Sequence, residues 1–70
     1  MVEKTIDLTG QSSTSIEAAV NLAVGRAALT VTDIRQARIT DIVALVEDGK
    51  VAHWKVGLQL TFRVTDRVHE

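Results

Sequence analysis

Ala52-His53-Trp54-Lys55-Val56-Gly57-Leu58-Gln59-Leu60-Thr61-Phe62-Arg63-Val64 decides the fold. Ala52, Trp54, Val56, Leu58, Leu60, Phe62 and Val64 share one parity; His53, Lys55, Gly57, Gln59, Thr61 and Arg63 share the other. Side chains of a strand alternate between its two faces, so this pattern predicts a long strand covering a core with one face. Upstream, Glu47-Asp48-Gly49-Lys50 reads as a hairpin turn. Asp-Gly favours a two-residue type I′ loop, and a three-residue loop with Gly49 left-handed is the alternative. The stretch Ile34 to Val46 then forms the partner strand. Its second half is apolar at both parities, with Ile39, Val43 and Leu45 on one and Ile42, Ala44 and Val46 on the other. One face can serve a helix, whereas the second needs a cover from another subunit.

Before that strand lies a helix, expected from about residue 15 to 31. Ile16, Ala19, Val20, Ala23, Ala27 and Val31 form its apolar stripe. Thr14 and Glu17 have the spacing of a capping box, with Ser15 a rival cap. The alanines suggest close approach of helix to sheet. Gly25 costs up to ~1 kcal/mol in a helix interior, which suggests a close neighbour there. Val2 to Leu8 alternates as a half-buried first strand, with Lys4 as an edge lysine, and Thr9 to Ser13 reads as a loop. Thr65 to Glu70 is polar and reads as a frayed tail. The order is therefore β-α-β-β: an α+β class, with a three-stranded antiparallel sheet packed on one helix, in a single domain spanning 1–70.

Composition limits the function. A chain of 70 residues buries only about 60% of the surface its unfolded form exposes, and such a core rarely supplies more than roughly 3–5 kcal/mol. There are no cysteines, so disulfides and thiolate metal sites are excluded, and His53 and His69 alone make no zinc site. Self-association remains as the supplement. A net charge of −1 offers no footprint for nucleic acid. No apolar run approaches the length of a membrane-spanning helix, and Met1 to Asp7 is no signal peptide, which makes the cytoplasm the expected location. No Ser-His-Asp or Cys-His grouping, dinucleotide fingerprint or P-loop is present, so no enzyme is expected. Glu47 and Asp48 beside Gly49 lack the spacing of an EF-hand and read as a solvated turn, leaving no metal site to assign. Trp54, on the apolar parity, reads as a core residue, with a displaced stacking platform as the alternative. Asp41 in an apolar strand requires a partner: an arginine of a neighbouring subunit, or a pocket.

The β-α-β-β order, Thr9-Gly10 followed by Ser12, the capped Ser/Thr-rich helix start, the approach from Thr30 to Ile34, the Val46-Glu47-Asp48-Gly49 hairpin and the closing Gln59 to Phe62 strand together resemble the dodecin family. The resemblance covers residue 2 to about 64. It implies a hollow homododecamer that stores flavin (riboflavin, FMN or FAD) on two-fold axes without turnover. In that family two flavins stack between symmetry-related tryptophans, and a glutamine on the third strand holds each polar ring edge. Some members also bind coenzyme A, and a tryptophan-lacking subgroup has been described as calcium-binding. Here the tryptophan position matches Gln36 and the glutamine position matches Lys55. An amide lacks the stacking area of an indole, and lysine donates to a ring carbonyl but accepts nothing from a ring N–H. The stretch Asp33 to Arg38 looks like the tryptophan-lacking subgroup, which weakens the expectation of tight, quenching binding. The resemblance places the ligand site between subunits at Gln36 and Lys55, and the charges of Arg35 and Asp41 nearby in the strand make them further candidates for it. Arginines there would favour an anionic ligand; inter-subunit ion pairs with Asp33, Asp41 or Glu47, or plain solvation, are the structural alternative.

Overall fold

In the computed structural model, residues 2–64 are described. They form β1 (Val2–Ser12), α1 (Ile16–Ala27), β2 (Ile34–Glu47) and β3 (Lys50–Val64). The sheet order is β1-β3-β2, antiparallel throughout, so the alternating strand β3 lies at the centre. The β-α-β-β order with a three-stranded antiparallel sheet on one helix is the architecture expected. The first strand is longer than expected: Thr9 to Ser12 is not a loop but continues the ladder as far as Ser12 opposite Trp54. Residues 65–70, including the expected tail and His69, lie outside the described residues.

Local chemistry sets the ends of the helix. Ser15, in an extended conformation, is the N-cap, and its Oγ accepts from the Ala18 N–H at 2.9 Å. The Thr14 capping box does not form. The Thr14 N–H instead donates to Ser12 Oγ at 3.0 Å, which holds the chain in a turn one residue too early for Thr14 to cap. The helix ends at Ala27, earlier than expected. A turn follows in which the Thr30 and Val31 N–H groups donate to the Ala27 carbonyl. Asp33, at φ 63°, then takes a left-handed conformation that an aspartate tolerates better than most residues. Replacing Ser15 by alanine is expected to cost about 1 kcal/mol, while Thr14→Ala should be nearly neutral; urea unfolding of both variants distinguishes the two caps.

At the hairpin, Asp48 (φ 53°) and Gly49 (φ 75°) are both left-handed, and Glu47 pairs with Lys50. This is the two-residue type I′ turn. The register nevertheless does not follow simple alternation, because Arg35 and Thr40 on β2 and Ala52 on β3 are extra residues at irregularities in the ladder. The extra residue at Thr40 inverts parity. Ile39 pairs with Leu58 and Ile42 with Val56, so both lie on the helix side, opposite to Val43 and Leu45. Grouping Ile39 with Val43 and Leu45 is therefore corrected: a bulge shifts the pleat by one residue.

Buried apolar side chains are few among the described residues: Ala19, Ala23, Val56, Leu58 and Leu60, with Leu8, Ile16, Val20 and Val24 packed against the first four. The alanine face of α1 sits on β1 and β3. Close approach is set by Gly10 rather than Gly25. A Cβ on Gly10 would collide with the Ala19 carbonyl oxygen and come within 3.0 Å of Ala23 Cβ, whereas nothing lies within 4 Å of one on Gly25. Trp54 lies on the core face, between Ser12 and Ala44, but is only half-buried.

The helix does not serve β2 as the sequence suggested. Its packing is on β1 and β3, and Ile39, Ile42, Val46 and Val51 remain exposed on the helix side of the β2–β3 hairpin. Leu22 and Leu29 are exposed on the helix and its exit, Leu29 to 80%. The fold measures 57 × 19 × 12 Å with a radius of gyration of 14.9 Å, against roughly 11 Å for a compact domain of this length. One copy is thus a thin plate with apolar surface left over.

Candidate functional site

The face of the sheet turned away from the helix is a polar grid. Across it run Thr5, Thr61 and Gln36; Asp7, Gln59 and Arg38; Thr9, Gly57 and Asp41; and Gln11, Lys55 and Val43. Each row follows from register, since residues opposite one another in an antiparallel sheet point the same way. Three of the four residues singled out from sequence, Gln36, Asp41 and Lys55, therefore share this open face.

They do not converge in one chain. Lys55 and Thr61, the partner of Gln36, are six residues apart on β3, which separates the Gln36 and Lys55 backbones by roughly 20 Å. Asp41 is much nearer Lys55, because it faces Gly57, two residues further along the same strand. Arg35 is set apart by its bulge. Its Nε lies 3.1 Å from Asp33 Oδ1, while Arg63 Nε lies 3.9 Å from Asp33 Oδ2, and the Arg63 N–H donates to the Asp33 carbonyl at 3.1 Å. Arg35 thus pairs with Asp33 of its own chain, not across subunits, in a half-exposed contact of the kind that contributes at most about 1 kcal/mol. Asp33, through Arg35 and Arg63 together, ties the helix exit to the ends of β2 and β3.

Asp41 is differently placed. Its Oδ1 lies directly over Gly57, in the space a Cβ would occupy, and Thr40 Oγ1 is 2.8 Å from the same point. Among the described residues neither Asp41 nor Lys55 forms an ion pair. Gly57 was legible in sequence only as a member of the polar parity. A glycine inside a strand is a recognised mark of a bulge or close approach, and that signal points here.

Two shallow grooves lie elsewhere. One, of about 480 Å³, runs between β1 and α1 and is lined by residues including Leu8, Gln11, Leu22 and Arg26. The other, of about 320 Å³, lies at the helix exit beside Thr30, Thr32, Phe62 and Arg63. None of Gln36, Arg35, Asp41 or Lys55 lines either. Among the described residues no cluster of three or more His, Cys, Asp or Glu side chains has the arrangement of a metal site.

Comparison with known proteins agrees with this architecture. The dodecin from Streptomyces coelicolor is 35% identical, with 93% of each chain covered and a TM-score of 0.88. A calcium-chelating antigen of Mycobacterium tuberculosis, a calcium dodecin with a novel calcium-binding site, is 35% identical over the whole of both chains, with a TM-score of 0.80. A point variant of the Thermus thermophilus dodecin is 28% identical, covering 93% of this chain and 97% of that one, with a TM-score of 0.88. No curated protein sequence matches. The family model described as Dodecin matches residues 2–65, nearly the whole chain and every element of the sheet and helix, and the protein belongs to the dodecin family.

Proposed function

We propose that this protein is a non-enzymatic carrier, a single dodecin-like domain that assembles as a hollow homododecamer and stores flavin between its subunits. The observation that carries this reading is the placement of Gln36, Asp41 and Lys55 on one open sheet face of a plate too thin to enclose a ligand alone. Gln36 and Lys55 are too far apart to touch one ring within a subunit. A second copy laid against the open face would supply the missing wall and bring the Gln36 end of one sheet towards the Lys55 end of another. Arg35 precedes Gln36 in sequence, and its guanidinium, shared with Asp33, would favour a phosphorylated flavin such as FMN. Sequestration of a reactive chromophore from solvent is the mechanism, and no chemical step is required of the protein. The cytoplasm is the proposed location; among the described residues, no helix is long and apolar enough to cross a membrane.

Titration of riboflavin, FMN and FAD with the protein, followed by flavin fluorescence, tests the reading. Quenching at micromolar protein is expected, weaker than an indole-stacked site would give because Gln36 offers an amide in place of a large aromatic face. Native mass spectrometry is expected to report twelve subunits and any retained guest. Unchanged fluorescence for all three flavins would reject flavin storage.

A second reading is favoured by the full-length similarity to the calcium dodecin, together with the amide at Gln36. In it the cage holds calcium, or an anionic cofactor such as coenzyme A, in place of flavin. Calorimetry with calcium chloride in the absence of flavin separates the two; no heat of binding would remove the calcium version.

A further inference from the structure

The notch at Gly57 seats a carboxylate acceptor diagonally beside Lys55, which stands where the family has a glutamine. Lys55 carries donors only. Asp41 faces Gly57, and Lys55 precedes Gly57 by two residues on the same strand and the same face, so the two side chains are diagonal neighbours. Diagonal neighbours stand roughly 7–8 Å apart at Cα, within reach of a long side chain. Asp41 Oδ1 occupies the volume a Cβ would take at Gly57, so the absent side chain is what allows the carboxylate to lie flat against the sheet, with Thr40 Oγ1 beside it. Neither charge is neutralised by an ion pair among the described residues.

We propose that Asp41 and Lys55 of one subunit together hold the polar edge of the bound ring, and that Gly57 is the positioning residue that seats the carboxylate. The edge of a flavin is a cyclic imide, O=C–NH–C=O. Lys55 Nζ donates to one ring carbonyl and the Asp41 carboxylate accepts from the ring N–H. A single lysine serves only half of that edge; the lysine and aspartate pair serves both halves. Ligand selection follows from the pairing, since a ring without the N–H leaves a desolvated carboxylate unsatisfied. This inference rests on the flavin reading above.

The test compares riboflavin with 3-methylriboflavin, in which the ring N–H is replaced by N–CH₃, on the assembled protein. The wild type is expected to bind the methylated ring about tenfold or more weakly, the factor typical of a lost hydrogen bond to a charged group. Asp41→Ala should lower riboflavin affinity to the level of the methylated ligand and abolish the discrimination. Asp41→Asn keeps an acceptor carbonyl and should retain much of it. Gly57→Ala should reproduce the Asp41→Ala result with the carboxylate still present. Lys55→Gln supplies a donor and an acceptor on one side chain, and in that background Asp41→Ala should cost little. Native mass spectrometry confirms assembly of each variant; if Gly57→Ala fails to assemble, the Asp41 variants decide alone. Equal affinity of the wild type for the two ligands would overturn the role of Asp41 while leaving flavin storage intact. Failure to bind either ligand would remove both.

Discussion

Gly10→Ala is expected to unfold the subunit or nearly so, although adding a Cβ to a strand glycine ordinarily improves a strand by roughly 0.5–1 kcal/mol. The new carbon would collide with the Ala19 carbonyl oxygen and press on Ala23 Cβ. Both belong to the helix, and one is backbone, so no rotamer change relieves the collision. The helix must lift from β1, and Ala19 and Ala23 are the buried centre of its contact. Overpacking typically costs about 1–3 kcal/mol and more where backbone must move, against a total of roughly 3–5 kcal/mol from a core of this size. Gly25→Ala is the control, with the opposite sign. It adds a methyl group to open space in a helix interior and should gain up to ~1 kcal/mol. Urea unfolding reports both. A Gly10→Ala protein as stable as the wild type would contradict the close approach. A destabilised Gly25→Ala would reveal a neighbour from another copy.

The second large effect is on assembly. Ile42→Asp should break the oligomer into small species visible by native mass spectrometry or light scattering. Ile42 is half exposed in the isolated chain and lies on the helix side of β2 with Ile39, beyond the reach of α1. Val46 and Val51 pair and prolong the apolar strip towards the hairpin. If copies cover one another there, a carboxylate at position 42 is buried without a partner, at a cost of several kcal/mol in every subunit. A charge change at the solvated turn, Glu47→Lys, should leave the assembly intact. Normal assembly of Ile42→Asp would place the interface elsewhere.

Much of this architecture was legible because it follows from short-range rules. The alternation from Ala52 to Val64 identified β3, and Asp48-Gly49 marked the turn. The alanine stripe identified the helix and its contact face. What was not legible depended on register and competition. A bulge is one residue that fails to pair, and nothing in the composition of Ile39-Thr40-Asp41 marks it, so simple alternation assigns Ile39 to the wrong face. Thr14 and Ser15 are both competent caps; the bond from the Thr14 N–H to Ser12 Oγ decides between them. Gly10 and Gly25 are indistinguishable as letters, and only the path of the helix over β1 shows which of them is under pressure. At the open face, register set Gln36, Asp41 and Lys55 on one side of the sheet. The relation of Asp41 to Gly57 became visible only when the bulge fixed which residue stands opposite.

The plate-like shape bears on how the protein endures heat. Most of what would protect its few buried side chains must come from neighbours, so folding and association become one equilibrium. The melting point should then climb as the solution is made more concentrated, and simple dilution should act as a mild denaturant, loosening a protein that no change of temperature or solvent has touched.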